Sequence, residues 1–329
     1  MIASARRCRI LCTLVVLALA PFTSAAAAPA DGFDGWLLTF REDALKEGIG
    51  ASTLDLALTG IQPIPRVIEL DRRQAGGRGS FRGYKQRLLS DERVRRGRSL
   101  MREHRALLER IAQDYGVQAR FIVALWGIES TYGTYRGSYP VIPALATLAY
   151  DGRRAAFFRQ ELLNALRILD AGDIDNGSMM GSWAGAMGQS QFMPSSYLSY
   201  AVDYDGDGRR DIWTSLPDIF ASMANYLANA GWNDRYTWGR QVRPPTSIAA
   251  DLLGLEVQKP LPSWQDLGVR RSNGSGLPPV EIDASLLWTD DRSGPAYLVY
   301  SNFRVLMLWN RSTYFALTVG ELSDLIRYG

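Results

Sequence analysis

Phe121-Ile122-Val123-Ala124-Leu125-Trp126-Gly127-Ile128-Glu129-Ser130-Thr131-Tyr132-Gly133 is the stretch around which the chain is organised. Ile122, Leu125, Trp126 and Glu129 stand at i, i+3, i+4 and i+7, the spacing of one helical face. That face is apolar until Glu129, so a carboxyl is carried into the surroundings of Trp and Ile. Gly133 offers a helix stop four residues later. A carboxyl in apolar surroundings loses solvation and its pKa rises, to ~6 in a favourable case, so that it keeps a proton to donate near neutral pH. The same pattern suits a glutamate at a helix end whose head reaches water, or one paired with an arginine. The helix alone leaves these readings open.

Elimination narrows the chemistry. The single histidine, His104, lies in Arg102-Glu103-His104-Arg105, and the two cysteines are Cys8 and Cys12. Ser-His-Asp catalysis, a cysteine nucleophile and zinc sites of several His or Cys are therefore not expected. No P-loop is present, and no Gly-x-Gly-x-x-Gly opens a helix. Carboxylates, amides, hydroxyls and aromatics are what an enzyme of this composition has to work with.

Residues 1–28 read as a secretory signal peptide. Arg6, Arg7 and Arg9 precede an apolar run from Ile10 to Ala20, followed by Pro21 and the small residues Ser24 to Ala28. The run is too short for a membrane span. Cleavage between Ala25 and Ala30 would remove both cysteines and three arginines, cancelling the net charge of +3. Cys12 lies mid-run, where a lipid-attachment cysteine does not belong. A soluble periplasmic protein without disulfides or a stable membrane anchor is the expectation. About 300 residues remain, enough for one large core or two domains.

Short helices are expected from Trp36 to Gly48 and on to Leu58, a loop from Arg72 to Arg78, and one long helical run from Tyr84 to Gln113. Arginines crowd this run; export argues against a nucleic-acid partner and for a solvated helix face. Helices over Pro143–Tyr150 and Ala155–Leu169 come next. Gly181-Ser182-Trp183-Ala184-Gly185-Ala186-Met187-Gly188-Gln189-Ser190-Gln191-Phe192-Met193-Pro194-Ser195-Ser196-Tyr197 follows, and its glycines permit close backbone approach. It fits a tightly packed turn and helix as well as a ligand-facing surface. Asp203, Asp205 and Asp207 with Gly208 match positions 1, 3, 5 and 6 of a calcium loop. Thr214 stands where the closing Glu belongs, and Asp218 can close the site instead; an Asx-rich turn is the alternative. A helix from Ile219 to Ala230, a strand or hairpin over Tyr297–Trp309 and a closing helix from Thr313 to Ile326 complete the reading.

The segments Gly-Ile-Glu-Ser-Thr-Tyr-Gly at Glu129, Ala144-Leu145-Ala146-Thr147-Leu148, Arg153-Arg154, Phe157-Phe158 and Gly181–Tyr197 resemble lytic murein transglycosylases of the B type. Asp203–Asp207, Ala224-Asn225-Tyr226, Gly231-Trp232, Asn302-Phe303 and Asn310-Arg311-Ser312-Thr313 carry the resemblance to the C-terminus. It implies a mainly α (α+β) fold with a lysozyme-like helical core, additional N-terminal helices and a small β insertion. The expected organisation is a signal peptide at 1–28, an N-terminal helical region at 29–113 and a catalytic core with the calcium-type loop at 114–235. A small, partly β insertion at 236–295 and a closing segment at 296–329 follow.

The resemblance further implies cleavage of the β-1,4 bond between N-acetylmuramic acid and N-acetylglucosamine in peptidoglycan, without water, leaving a 1,6-anhydro end. Glu129 corresponds to the catalytic glutamate, Ser182 to a serine hydrogen-bonded to it, and Gln191 to an amide contacting sugar. Tyr226 and Asn310 correspond to cleft residues, and Arg153 and Arg154 to contacts on the peptide or sugar side. The implied structural Ca²⁺ loop uses Asp203, Asp205, Asp207 and Asp218 with the Arg209 carbonyl; no catalytic cofactor is implied. Two positions depart from the family: Trp309 stands where Tyr is common, and Tyr314-Phe315 displaces a second tyrosine hydroxyl. Either aromatic face still stacks on a pyranose. Peptidoglycan glycan strands are the expected partner of a monomer, with other wall-remodelling proteins left open. A muramidase would need a second carboxylate near Glu129; a catalytically idle wall-binding protein would not need Glu129 at all.

Overall fold

The computed structural model describes residues 32–73 and 79–327, so the signal-peptide reading of residues 1–28 lies outside the described residues. Helices α1 (Gly32–Lys46), α2 (Ala51–Leu58) and α3 (Pro65–Arg73) open the chain. The expected continuous run from Tyr84 to Gln113 is instead three helices, α4 (Phe81–Leu88), α5 (Asp91–Glu103) and α6 (Arg105–Tyr115). Its breaks have local causes. Ser90 caps α5 by accepting the Arg93 amide, and His104 leaves helical geometry at φ −100°, ψ 19°. The His104 ring packs against Trp126 and Phe220. Several arginines here brace the fold: Arg98 donates to the Leu325 carbonyl, and Arg93 to the Leu88 carbonyl.

Helix α7 (Ala119–Ser130) runs through the middle of the body, and every residue from Arg120 to Gly127 is buried. A helix apolar on all sides is a core helix, and α5, α6, α11 (Leu216–Asn229) and α14 (Thr313–Arg327) surround it. Between them in sequence come α8 (Val141–Asp151), α9 (Ala155–Asp170) and α10 (Pro194–Tyr200), with α12 (Leu261–Asp266) and α13 (Ser301–Trp309) later. The expected strand or hairpin over Tyr297–Trp309 is a short strand followed by α13. The apolar run Val305–Leu306 suits either period, and only its packing on α11 and α14 decides.

Two-residue strands β1 (Tyr139–Pro140) and β2 (Met180–Gly181) pair antiparallel next to the Ser182 turn. The second sheet consists of β3 (Gly239–Arg243), β4 (Lys259–Pro260), β5 (Arg270–Arg271), β6 (Asp283–Trp288) and β7 (Ala296–Val299), in the order β4-β6-β7-β3-β5. It runs past residue 295, so its last strand comes from the expected closing segment. Both faces of this sheet are covered, and alternation divides them. Leu287, Tyr297 and Val299 join the main helical core, whereas Ala284, Leu286, Ala296 and Leu298 join a smaller core around Trp264 and Leu261. The chain is thus mainly α with a small sheet.

Packing around α7 is close enough to need glycine. A Cβ on Gly127 would lie 2.6 Å from the Tyr132 ring, and one on Gly97 would meet the Tyr132 hydroxyl. Gly127→Ala is therefore expected to destabilise the protein by about 1–3 kcal/mol, the usual cost of overpacking. Urea unfolding of the two proteins side by side measures this.

Candidate active site

Helix α7 stops at Ser130, three residues before the glycine expected to end it. Thr131, Tyr132 and Gly133 all take left-handed backbone, with φ of 52°, 58° and 76°. Two non-glycine residues in that region are strained and need support from their surroundings. Support comes from several directions. The Tyr132 amide donates back to the Trp126 carbonyl, its hydroxyl donates to the Arg93 carbonyl (2.9 Å), and Arg93 Nη2 donates to Thr131 Oγ1 (3.1 Å). Ser130 Oγ donates to the Trp126 carbonyl and accepts the Gly133 amide. Buried Gln189 locks the next layer, accepting from Trp126 Nε1 at 2.7 Å and donating to the Trp213 carbonyl at 2.8 Å. A Cβ on Gly133 would collide with that amide.

This brace presents Glu129. Its carboxyl accepts one hydrogen bond, from the Trp309 indole Nε1 at 2.7 Å. Burial pushes its pKa up to about 7, and the Trp309 hydrogen bond, which favours the charged form, offsets only part of that. Burial comes first among the causes and no carboxylate figures among them, so this is a desolvated acid rather than one of a repelling pair. Trp309 itself stands at the end of α13 in an aromatic wall. Its ring centroid is 4.7 Å from that of Tyr226 and 5.2 Å from that of Phe192, and Tyr200 lies 4.7 Å from Tyr226 on the far side. The Tyr226 hydroxyl donates to the Leu308 carbonyl. Asn310, next to Trp309, is exposed.

Ser182 follows β2, and its Oγ accepts the amides of Ala184 (3.3 Å) and Ala186 (3.1 Å). Ser182 Oγ thus accepts from its own turn, and the donor to Glu129 in this structure is Trp309. Gln191, at φ 52°, donates to the Gly188 carbonyl at 2.8 Å and precedes Phe192 of the aromatic wall.

A second constellation lies in the loop before α11. Carboxylate oxygens of Asp203, Asp205 and Asp218 come within 4.8 Å of one another. Backbone amides hold them: Gly206, Asp207 and Gly208 donate to Asp203, while Tyr204, Asp205 and Asp211 donate to Asp218. Ser215 Oγ donates to Asp205. Asp207 is not in the cluster; its carboxylate accepts the Arg209 amide. Three converging hard oxygen donors suit a calcium-like cation.

Comparison with known proteins agrees with this geometry. The transglycosylase SLT domain family matches residues 32–324. This chain belongs to that family. The membrane-bound lytic murein transglycosylase B of Escherichia coli (strain K12) is 31% identical over 297 residues, covering 85% of this chain and 79% of its own. SltB3 of Pseudomonas aeruginosa, in complex with NAG-NAM-pentapeptide, superposes with a TM-score of 0.88 at 45% identity, covering 90% of this chain and 80% of SltB3. A second SltB3 complex, with NAG-anhNAM-pentapeptide, gives 0.86. The Escherichia coli lytic transglycosylase Slt35 in complex with calcium gives 0.77 at 28% identity, covering 88% of this chain and 92% of Slt35. The protein is an enzyme, a lytic transglycosylase, and its mainly α body is that of these lysozyme-like relatives.

Within the SLT-domain framework the expected residues separate into groups. Glu129, Trp309 and Tyr226 are together. Arg153 and Arg154 pair with buried Asp71 of α3 at the start of α9, and hold its carboxyl below the usual range. Tyr314 points elsewhere: its hydroxyl donates to Asp290 at 2.8 Å and its ring lies 5.2 Å from Phe81. Arg93, Tyr200, Phe192 and Asp71 were not singled out from sequence. Tyr132 lay inside the Glu129 stretch, but its partner Arg93 is 39 residues away and gave no local signal.

The raised pKa of Glu129 has a stability consequence. Its folded value of about 7 lies above the reference 4.5, so the cost is absent below that pH and grows as pH rises to 7. Glu129→Gln keeps an acceptor for Trp309 and removes the cost. Its gain in unfolding free energy should be near zero at pH 4 and about 1–3 kcal/mol at pH 8, measured by denaturant titration across pH.

Proposed function

We propose that this chain cleaves the β-1,4 MurNAc–GlcNAc bond of peptidoglycan without water and leaves a 1,6-anhydro-MurNAc end, with Glu129 as its single acid and base. The observation that carries the reading is a desolvated carboxyl, raised to about 7, whose shift owes nothing to a second carboxylate. A hydrolase needs a partner to activate water or attack the sugar. A transglycosylase does not, because the substrate supplies the nucleophile.

In the proposed reaction, protonated Glu129 gives its proton to the glycosidic oxygen as the bond to C1 of the muramic residue breaks. The electron pair leaves with that oxygen as the GlcNAc hydroxyl. The muramic C6 hydroxyl then closes on C1 and yields its proton to the Glu129 carboxylate, restoring the acid. Intramolecular attack reaches effective molarities of ~10⁵ M or more, so no external water competes if the wall stays dry. The muramic N-acetyl oxygen would stabilise the oxocarbenium-like centre. The Trp309 N–H holds the carboxyl in one orientation and favours its anionic form once the first proton has left.

Tyr226 and Trp309 are the proposed stacking faces, while Ser182, Gln191 and Asn310 supply sugar hydrogen bonds. Arg153 and Arg154, paired to Asp71 yet 43% and 39% exposed along their side chains, face substrate from another edge. Tyr314, whose hydroxyl donates to Asp290, is a further proposed substrate contact. The NAG-anhNAM-pentapeptide bound by SltB3 is the kind of product such a reaction leaves. A murein substrate places the enzyme outside the cytoplasm, in keeping with export by residues 1–28, and no helix among the described residues is long and apolar enough to cross a membrane.

Two measurements test the reading. Mass spectrometry of purified peptidoglycan digested by the protein is expected to show anhydro-muropeptides, and Glu129→Gln to give none; hydrated reducing ends would make it a hydrolase instead. A structural Ca²⁺ would sit on Asp203, Asp205 and Asp218, with Asp207 and the Arg209 carbonyl completing the shell. Millimolar calcium is expected to raise the melting temperature by roughly 5–10 °C over a chelated sample at about 100-fold saturation, and Asp205→Asn to abolish the increment.

A further inference from the structure

Helix α7 has a second end, and a groove lies on it. Ala119 is the first residue of α7, about 15 Å along the helix axis from Glu129. It lines a cavity of about 610 Å³ to which the helical body contributes Met101, Gln118 and Arg120, and the smaller core's side contributes Leu261, Val280 and Ile282. A second cavity, of about 230 Å³, is lined by Arg102, Arg105 and Leu108 among others. Met101, Ala119 and Arg327 line both, so the two form one continuous groove. Clefts between two packed units are common places for a ligand.

The groove is rigidly built. Buried Arg120 donates to Thr237 and Ser323 and pairs with Asp324. Gln118 Nε2 donates to the Asp234 and Tyr236 carbonyls, while its Oε1 accepts the Trp232 indole at 2.9 Å. Buried Asn302 donates to the Asn233 and Tyr236 carbonyls at 2.8 and 2.9 Å. Two amide side chains thus fix the turn that carries Arg235. Six arginines and two acids line the groove, so it is cationic. Arg105 pairs with Glu109, and Arg240 is hydrogen-bonded to the Tyr300 hydroxyl. Arg235 in the larger cavity and Arg102 in the smaller are exposed, and neither side chain has a partner among the described residues. Beside these cations stands an aliphatic edge, with Val280 42% exposed.

We propose that this groove docks an extended acidic segment of a protein partner, in which Glu or Asp alternates with aliphatic residues. Guanidinium groups bind carboxylates through two parallel N–H donors, which gives orientation as well as attraction. In an extended strand successive side chains point to opposite faces, so the acids reach Arg102 and Arg235 while the aliphatic residues cover Val280 and Ile282. A polyphosphate chain would use the charge and leave that aliphatic edge in water, and the flat face of a bilayer does not enter a concave groove. Walls already held in place lower the ordering cost of association. Because the groove lies at the end of α7 away from Glu129, its occupant leaves the aromatic wall open and tethers the enzyme without blocking it. None of this depends on the reaction at Glu129.

Fluorescence anisotropy with a labelled octapeptide of alternating Glu and Leu, titrated with the full chain, tests the docking. Binding is expected, and it should weaken as salt is raised, because screening acts on exposed charges. Arg235→Glu and Arg102→Glu, one in each cavity, should each weaken it roughly five-fold, and Val280→Asp should weaken it as well. Arg95→Glu, exposed on α5 but outside both cavities, should change it little. All four positions are exposed, so the variants should keep the parent's melting temperature and report binding alone. Saturating NAG-anhNAM-pentapeptide should leave peptide binding unchanged. The proposal is overturned by no binding of the octapeptide, by equal binding of a Glu-Ser octapeptide or of polyphosphate, by indifference to the Arg235 and Arg102 changes, or by competition from the muropeptide.

Discussion

The desolvation of one carboxyl governs the rest of this structure. Glu129 stands at the end of a helix buried on all sides, and burial raises its pKa to about 7 at a cost in folding free energy. To keep an ionisable group there, the protein gives it one directed partner, the Trp309 indole, itself packed against Tyr226 and Phe192. The neighbouring arginine, Arg93, turns its guanidinium to Thr131 and the Leu88 carbonyl. A cation against Glu129 would have lowered its pKa and removed the proton it is proposed to donate.

The strain in the turn that follows belongs to the same device. Three successive left-handed residues stop α7 abruptly, leaving Glu129 in the last helical turn rather than mid-helix. The Tyr132 side chain, laid between Gly97 of α5 and Gly127 of α7, ties the turn to the helical body, and Gln189 ties Trp126 to the Gly181–Tyr197 segment. The glycines are there for contact distance, and the turn is held from two sides. Rigid elements meeting at one carboxyl give the precision that acid–base chemistry requires.

Much of this site was legible in advance because its signals are local. The i, i+3, i+4, i+7 face identified the helix and the candidate acid, and the spacing of Asp203, Asp205, Asp207 and Gly208 pointed to a cation loop. What was misjudged depended on long-range partners. The run from Tyr84 to Gln113 looked continuous because its apolar period barely changes, yet Ser90 and His104 divide it. Trp309 was expected to stack on sugar; that it also donates to Glu129 follows from a contact 180 residues apart in sequence. Ser182 was expected to hydrogen-bond the glutamate; that its oxygen also accepts two amides of its own turn was not foreseen.

The amino-acid sequence by itself determined the family resemblance, through it the class of fold, and the place of Glu129 as the candidate acid at the end of an apolar helical face. These follow from motifs and from residues within two helical turns of one another. Tertiary structure alone decided where helices break, that three carboxylates converge at the loop and that Asp207 stands aside from them. It also decided that Arg153 and Arg154 share Asp71. Each of these depends on distances between side chains far apart in the chain, which only the packing of helices around α7 brings within hydrogen-bonding reach.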